Sequence, residues 1–223
     1  MKSPQTLLLG TLLAAAAQLA SAAPVVLDFD AVAGYSLPQT EDGFKVTGSV
    51  NWWETMVGNS ANCLPSCPNA VGKYVLSFNS MVTVAAVDGG LFSLLSFQGA
   101  ETWVGHPEAW AKRIHVLGTQ LGGSQVSADF ALDFVNDGNG SGADFQQFVL
   151  PAQFINLSSV QFSGVGSNYN SFALDNLSVS EGQGMQRPNS LNGPNGNAVP
   201  EPGSLLLAGL ALAGLAGSCR RKA

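Results

Sequence analysis

Apolar and polar residues alternate repeatedly between residues 25 and 179 of the chain, and no stretch of a dozen residues there has helical spacing. Successive side chains of a strand point to opposite faces, so this alternation indicates strands with one buried face. Gly, Asn, Asp and Pro, which favour turns, separate the segments. The predicted strands are 25–30, 44–50, 74–78, 81–87, 91–97, 112–118, 129–134, 145–150, 159–164 and 171–179. Short, closely spaced strands predict an all-β fold, specifically an antiparallel two-sheet β-sandwich of the jelly-roll kind.

The amino terminus has the pattern of a secretory signal peptide. Lys2 precedes an apolar stretch that ends at Ala20, and small residues follow up to Ala23. We predict a signal peptide over 1–23, with an uncleaved membrane anchor as the alternative. The β-rich ectodomain then covers 24–180, and a flexible linker rich in Gly, Asn, Pro and Ser covers 181–198.

The carboxyl terminus combines a proline-rich turn, a short apolar segment and a basic end. Pro200 and Pro202 hold the backbone extended and accessible to a processing enzyme. The apolar segment predicts a transmembrane helix over 204–218, shorter than the roughly 20 residues that span a bilayer comfortably. The basic end is expected to stay on the cytoplasmic side.

This tail resembles the PEP-CTERM sorting signal. The residues that carry the resemblance are Val199, Pro200, Glu201, Pro202, Arg220, Arg221 and Lys222. The resemblance implies a Gram-negative bacterium that makes exopolysaccharide, and an exosortase, a membrane transpeptidase, as the processing partner. It further implies export through the inner membrane to the cell surface or extracellular matrix, with the helix in the membrane before processing. An ordinary carboxyl-terminal anchor is the alternative.

The charge balance argues against nucleic acid as a partner. The chain has nine basic and fifteen acidic residues, a net charge of −6. The two terminal signals, 1–23 and 199–223, contain four of those basic residues and one of the acidic ones, so five basic and fourteen acidic residues remain. So acidic a domain is unsuited to binding nucleic acid or anionic membranes, although acidity also keeps secreted proteins soluble.

Two of the three cysteines predict a local disulfide. Cys63 and Cys67 lie in a proline-containing loop of a chain expected to reach an oxidising compartment. A redox role is the alternative, and no further Cys or His nearby suggests a zinc site. Cys219 belongs to the tail.

The ends of the ectodomain resemble those of carbohydrate-binding-module jelly rolls. The segments that carry this resemblance are Leu27–Asp30 and Phe172–Val179. In such folds the first and last strands pair, and an aspartate of the last strand helps to hold a structural calcium ion. Asp28, Asp30 and Asp175 are therefore candidate calcium ligands, with solvent-facing carboxylates as the alternative. The loop 137–144 starts like an EF-hand, but Phe148 stands where a glutamate is required, so we predict a hairpin loop there.

Aromatic residues suggest a second kind of site. Trp52, Trp53, Trp103 and Trp110 are candidate platforms for sugar rings, with packing in the core or in loops as the alternative. The ligand expected for such platforms is the extracellular polysaccharide.

The expected function is that of an exported, non-catalytic protein associated with exopolysaccharide or biofilm. A structural or adhesive matrix protein that binds other proteins is one alternative. A matrix polysaccharide hydrolase is another, and its candidate acids are Glu54, Glu101 and Glu108. No nucleophile motif or nucleotide-binding fingerprint accompanies them.

Overall fold

The computed structural model describes residues 23–48, 54–59, 67–103, 105–136 and 144–181, all of which belong to one compact unit. Every regular element among them is a β-strand. The strands are β1 (Val25–Leu27), β2 (Gln39–Glu41), β3 (Phe44–Thr47), β4 (Thr55–Gly58), β5 (Tyr74–Ser77), β6 (Met81–Ala86), β7 (Phe92–Glu101), β8 (Arg113–Gln120), β9 (Gln125–Ala131), β10 (Gln146–Val149), β11 (Leu157–Val165) and β12 (Phe172–Glu181). The predicted all-β class is confirmed for this part of the chain.

All pairings between these strands are antiparallel. The main path through the sheet runs β2-β3-β6-β11-β7-β12-β5-β4, while β1, β10, β8 and β9 pair at its sides. The ladders thus join the described strands into one connected, curled sheet. The antiparallel architecture was predicted correctly, whereas the expected division into two separate sheets is not confirmed.

The first and last strands are neighbours, as the resemblance to carbohydrate-binding modules implied. Val25 of β1 pairs with Val179 of β12, and Leu27 pairs with Leu177. The opposite edge of β12 pairs with β7, and the register shifts between Asp175 and Ser178. Such a shift marks a β-bulge, which redirects a side chain. The bulge places Asp175 close to the residues that follow β1.

Aromatic side chains from four strands form the centre of the core. Phe97 of β7 is fully buried, and its ring centroid lies 5.2–5.3 Å from those of Phe130, Phe148 and Phe162. These partners come from β9, β10 and β11. Offset and edge-to-face aromatic pairs add stabilisation beyond the apolar area they bury. The curled sheet is therefore packed against a phenylalanine cluster on its buried side.

Each of the ten predicted strand segments overlaps an observed strand, but two strands were missed. These are β2 and β4, three and four residues long. Both are short, and β2 contains no apolar residue at all, so alternation gives no sign of it. The extent of β9 was also underestimated, since it begins at Gln125 and not at residue 129.

Candidate functional site

Trp103 lies at the centre of an aromatic cluster on the loop that follows β7. Its ring centroid is 5.1 Å from that of His106, 5.7 Å from that of Tyr169 and 5.8 Å from that of Phe78. Trp103 and Phe78 are half-buried, while His106 and Tyr169 are exposed. We call these four side chains the aromatic cluster. It presents ring surface at the outside of the domain, where it is accessible to a ligand.

A polar groove of about 460 Å³ adjoins this cluster. Hydroxyl and amide side chains provide much of its lining, among them Asn79, Ser80, Ser163 and Asn170. The Asn79 N–H donates a 2.6 Å hydrogen bond to the carbonyl of Tyr169, so the groove and the aromatic cluster share backbone. Ligand sites commonly combine aromatic surface with a few well-placed polar groups. The arrangement is suited to a ligand with both hydroxyl groups and apolar faces.

The predicted tryptophan platforms separate into three cases. Trp103 is in the aromatic cluster. Trp110 is only 8% exposed, and its indole N–H donates to the carbonyl of Trp103, so it supports the loop and offers no open face. The structure therefore corrects the expectation for Trp110. Trp52 and Trp53 lie outside the described residues and stay predictions.

The predicted calcium ligands lie together with a fourth acid. Phe29, between Asp28 and Asp30, donates its N–H to Glu41 Oε2 over 3.0 Å. The pKa of Glu41 is raised by desolvation and, to a smaller extent, by a side-chain hydrogen bond with Asp28. After desolvation, the negative charges of Asp30, Asp28 and Glu41 also raise the pKa of Asp175. We call Asp28, Asp30, Glu41 and Asp175 the acidic cluster.

Local backbone geometry fixes Asp30 in the acidic cluster. The N–H of Lys73 donates to Asp30 Oδ1 over 2.7 Å. Gly72, with φ +92°, lies so close that a Cβ there would overlap the Asp30 carboxylate. The ammonium group of Lys73 bonds to the carbonyl of Val32 and not to an acid. A glycine is required at residue 72 both for its positive φ and for the space that Asp30 occupies.

Burial makes ionisation of the acidic cluster costly. Desolvation, opposed in part by backbone hydrogen bonds, raises the pKa of Asp175 from 3.8 to about 7. Desolvation likewise raises the pKa of Glu41 from 4.5 to about 7. Within the described residues, no ion pair involves a member of the cluster. None of the described cations therefore pairs with the cluster to balance its charge.

The geometry of the acidic cluster is not that of a preformed metal centre. In the described part of the chain, no three His, Cys, Asp or Glu side chains stand in an arrangement that could hold a metal ion. Glu41, whose pKa is raised by desolvation and then by the nearby Asp28, must lose its proton before it can bind a cation. Whether the cluster binds calcium thus stays a prediction.

The three glutamates of the hydrolase alternative lie in unlike environments. Glu101 at the end of β7 is fully buried, and desolvation raises its pKa to about 7. Glu108 is exposed, and hydrogen bonds from the backbone and from His106 lower its pKa. Glu54 is half-buried beside β4. A fully buried Glu101 has no access to a polysaccharide chain, so it cannot serve as the catalytic acid of a surface hydrolase.

The remaining site predictions fall largely outside the described residues. Cys67 is buried near Tyr74, but Cys63 is outside, so the disulfide stays a prediction. The loop segment 137–143 and the linker and tail 182–223 are outside as well. None of the described residues belongs to a helix long and apolar enough to cross a membrane, and the helix predicted over 204–218 lies outside the described residues.

Comparison with protein families decides the nature of the tail. The family model described as the PEP-CTERM protein-sorting motif matches residues 198–222. The chain carries a PEP-CTERM sorting motif. The motif implies an exported protein that an exosortase processes, which confirms the resemblance drawn from Val199 to Lys222. No curated protein matches the chain.

Several solved structures share features of the β-fold. A DUF4465 family protein from Bacteroides caccae is 12% identical with a TM-score of 0.48, and the match covers 74% of this chain and 96% of that one. The K2 cleaved adhesin domain of Lys-gingipain is 11% identical with a TM-score of 0.47, over 70% and 99% of the two chains. A family 29 carbohydrate-binding module is 10% identical with a TM-score of 0.41, over 74% and 98%. Similarities of this size assign no function.

Four residues of these clusters were not found by sequence reasoning, and one of them, His106, lies only three positions after Trp103. Glu41 lies in the three-residue strand β2, which the hydrophobic pattern did not reveal. Phe78 and Tyr169 are far from Trp103 in sequence, and only the pairing of β5 and β7 with β12 brings their loops together. No short motif links such positions in the sequence.

Proposed function

We propose that the exported domain is a non-catalytic module that binds polysaccharide outside the cell, through the aromatic cluster and the polar groove beside it. The observation that carries the proposal is the ring surface of the half-buried Trp103 and the exposed Tyr169 next to the groove lined by Asn79 and Asn170. Pyranose rings have apolar C–H faces and a rim of hydroxyl groups. The apolar faces pack well on aromatic rings, and the hydroxyl groups form hydrogen bonds with amide and hydroxyl side chains.

The sorting motif supports a polysaccharide of the cell's own matrix as the ligand. A protein delivered beyond the inner membrane meets the exopolysaccharide of a Gram-negative envelope or biofilm. The acidic composition, fourteen acidic against five basic residues between the two signals, favours a neutral or cation-bridged glycan over a strongly anionic one. A jelly-roll arrangement of two sheets is part of the same proposal.

We also propose that the acidic cluster holds a structural calcium ion once the protein has left the cytoplasm. Carboxylate oxygens are the preferred ligands of calcium. The burial of Asp175 and the absence of an ion pair to the cluster among the described residues support a cation that comes from solution. In this proposal Glu41 joins Asp28, Asp30 and Asp175 as a ligand.

Affinity electrophoresis tests the binding function. The purified protein is run through native gels that contain the host's exopolysaccharide, with calcium or with a chelator. We expect retardation of the parent protein. Retardation lost with the chelator supports a calcium-braced module, and retardation unchanged by it supports binding that does not require calcium. No retardation in either gel refutes the proposal and favours a structural or adhesive matrix protein that binds other proteins.

A matched pair of tyrosines makes the test specific. Tyr169 and Tyr35 are both 50% exposed, but only Tyr169 belongs to the aromatic cluster. Tyr169→Ala should weaken binding by about 1 kcal/mol or more, roughly fivefold, as aromatic anchors at interfaces do. Tyr35→Ala should bind like the parent. Equal effects of the two substitutions would show that the aromatic cluster is not the binding surface.

A further inference from the structure

The buried side-chain atoms without a hydrogen-bond partner gather around the end of β7. Among the described residues they are Glu101 Oε2, Thr102 Oγ1, Asn136 Oδ1 and Ser171 Oγ. The two hydroxyl groups can each turn a hydrogen toward a neighbouring acceptor. The oxygens of Glu101 and Asn136 cannot, since an ionised carboxylate and an amide oxygen only accept hydrogen bonds. These two oxygens therefore require a donor.

Glu101 and Asn136 are bound to each other. Glu101 is fully buried, and its Oε1 accepts a 2.6 Å hydrogen bond from the N–H of Phe134. Asn136 is 8% exposed, and its Nδ2 donates a 2.7 Å hydrogen bond to the carbonyl of Glu101. Because the amide nitrogen must face that carbonyl, Oδ1 is the atom left over. Each of the two bonded residues thus contributes one buried acceptor without a donor.

A proton on Glu101 satisfies both oxygens at once. A protonated carboxyl group donates one hydrogen bond and still accepts others. When Oε2 carries the proton and donates it to Oδ1 of Asn136, Oε1 continues to accept from Phe134. Both carboxyl oxygens and the amide oxygen then have a partner. The ionised form would instead bury a charge with one unpaired oxygen, which is costly in the interior.

The surroundings of Glu101 also favour the neutral acid. Desolvation, opposed in part by backbone hydrogen bonds and assisted by the charges of Asp133 and Asp144, raises the pKa of Glu101 from 4.5 to about 7. Asp133 lies in the segment after β9, and Asp144 lies just before β10. Across the residues that the structure describes, no salt bridge includes Glu101.

The other elements near Glu101 add no balancing cation within the described residues. On β12, the apolar Phe172 stands opposite Glu101. Tyr74 of β5 is buried, and desolvation raises its pKa, so it stays uncharged. On the loop after β7, His106 and Glu108 are exposed and bind each other over 3.1 Å.

We propose that Glu101 is a neutral acid in the folded protein and that its proton, donated to Asn136 Oδ1, forms a pH-sensitive latch beside the loop that carries Trp103. The latch joins the end of β7 to the segment after β9, and Asn136 holds the last carbonyl of β7, two residues before Trp103. Ionisation removes the shared hydrogen and leaves both oxygens without a donor. The segment after β9 then opens more readily, because opening admits water to the carboxylate.

The latch weakens as the pH rises. In the open state Glu101 is hydrated and has its ordinary pKa of 4.5, whereas in the closed state its pKa is about 7. The bound proton therefore stabilises the closed state fully below about pH 4.5, and this stabilisation is lost as the pH rises through about 7. Opening should become at least about tenfold more frequent between pH 5 and pH 8.

Carbon-13 NMR of the Glu101 carboxyl carbon tests the proton directly. The purified protein is titrated in a chelator, so that no added cation reaches the acidic cluster. We expect the Glu101 resonance to titrate with a midpoint near pH 7. A midpoint near the ordinary value of 4.5 overturns the proposal. The measurement uses the parent protein alone, so it remains decisive if a variant fails to fold.

Hydrogen exchange of the segment 132–136 tests the latch. The parent is compared with Glu101→Gln, whose amide accepts from Phe134 and donates to Asn136 at every pH, as the protonated acid does. The two proteins should exchange alike at pH 5, and the parent should exchange at least about tenfold faster than the variant at pH 8. Asp133→Asn, which removes an exposed acid nearby, should keep the pH dependence of the parent. Equal exchange of the parent and Glu101→Gln at pH 8, or faster exchange of Glu101→Gln at both pH values, overturns the latch.

Regulation of the aromatic cluster by the latch rests on the proposed function and is tested by affinity electrophoresis with calcium at pH 5 and pH 8. Retardation of the parent by the exopolysaccharide should fall toward pH 8, and that of Glu101→Gln should fall less. Equal pH dependence of the two proteins overturns this regulation. No retardation at either pH refutes the proposed function alone, because NMR and hydrogen exchange decide the latch without a ligand.

Discussion

Replacing Asp175 by Asn should stabilise the protein when calcium is absent. Asp175 is 3% exposed, and its Oδ1 accepts a 2.7 Å hydrogen bond from the N–H of Asn176. An asparagine keeps that acceptor and nearly the same volume but removes the charge. Since the buried carboxylate is destabilised by desolvation and by its acidic neighbours, the neutral side chain should be favoured in the folded state.

The magnitude follows from the pKa of Asp175. Folding raises this pKa from 3.8 to about 7. At about 1.4 kcal/mol per pKa unit, the ionised form costs roughly 4 kcal/mol of folding free energy. Glu41, whose pKa is also raised to about 7 by burial, titrates over the same range as Asp175, so we expect a gain of about 2–4 kcal/mol for Asp175→Asn at pH 8.

The dependence on pH has a defined sign. Between about pH 4 and pH 7 the folded parent holds a proton on Asp175 that the unfolded chain has released. The stabilisation that this bound proton gives the folded parent is therefore fully present below pH 4 and is lost as the pH rises through about 7. The advantage of Asp175→Asn should shrink as the pH is lowered and nearly vanish near pH 4.

Urea unfolding followed by tryptophan fluorescence measures both effects. The parent and Asp175→Asn are compared at pH 8 and pH 5, each with a chelator and with calcium. With calcium at pH 8 the advantage of the variant should shrink by about 2.7 kcal/mol if the acidic cluster binds the ion at a hundred times its Kd, because the parent alone is then stabilised by that amount. An Asp175→Asn variant that is less stable than the parent in chelator at pH 8 would refute the argument from buried charge.

Three further predictions concern the scaffold. Gly72→Ala should destabilise the protein more than Gly89→Ala. Both glycines have positive φ, which costs an alanine about 1–2 kcal/mol, but only Gly72 also lies against a carboxylate. Equal losses of unfolding free energy in urea would contradict the close approach of Asp30. Phe97→Ala should lower the free energy of unfolding by about 3–5 kcal/mol, measured in the same way, and a loss below about 1 kcal/mol would show that the aromatic core is not packed as described. Mass spectrometry of the secreted protein should find Cys63 and Cys67 linked by a disulfide, and alkylation of either residue without prior reduction would contradict that prediction.

The sequence predicted the strands well and the sites in part, for a physical reason. A strand of five or more residues with one buried face produces visible alternation, as in β7 and β11. A site depends on which strands become neighbours. The sequence identified Asp28 and Asp175 because the ends of the domain resembled a known arrangement, but it missed Glu41, whose strand was too short to detect.

The role of Glu101 shows where sequence reasoning fails. The sequence offered Glu101 only as one of three candidate acids of the hydrolase alternative, because that chemistry requires a pair of carboxyl groups. Its burial depends on β10 and the segment after β9 covering the end of β7, which is a long-range property of the fold. Similarly, Trp110 and Trp103 are equivalent as tryptophans in the sequence. Only the structure distinguishes them, because Trp110 is buried and donates a hydrogen bond to the carbonyl of Trp103, whereas Trp103 is half-buried in the aromatic cluster.

One feature of composition connects the two groups of buried acids with export. Between the terminal signals the chain has only five basic residues against fourteen acidic ones. None of the described ion pairs reaches Glu41, Glu101 or Asp175, the three acids whose pKa burial raises to about 7. Their charge must then be balanced by protons or by ions from solution. With an affinity in the range of extracellular calcium modules, the acidic cluster would fill only where calcium is abundant. The domain would therefore gain its full stability after export, in the compartment to which its sorting motif directs it.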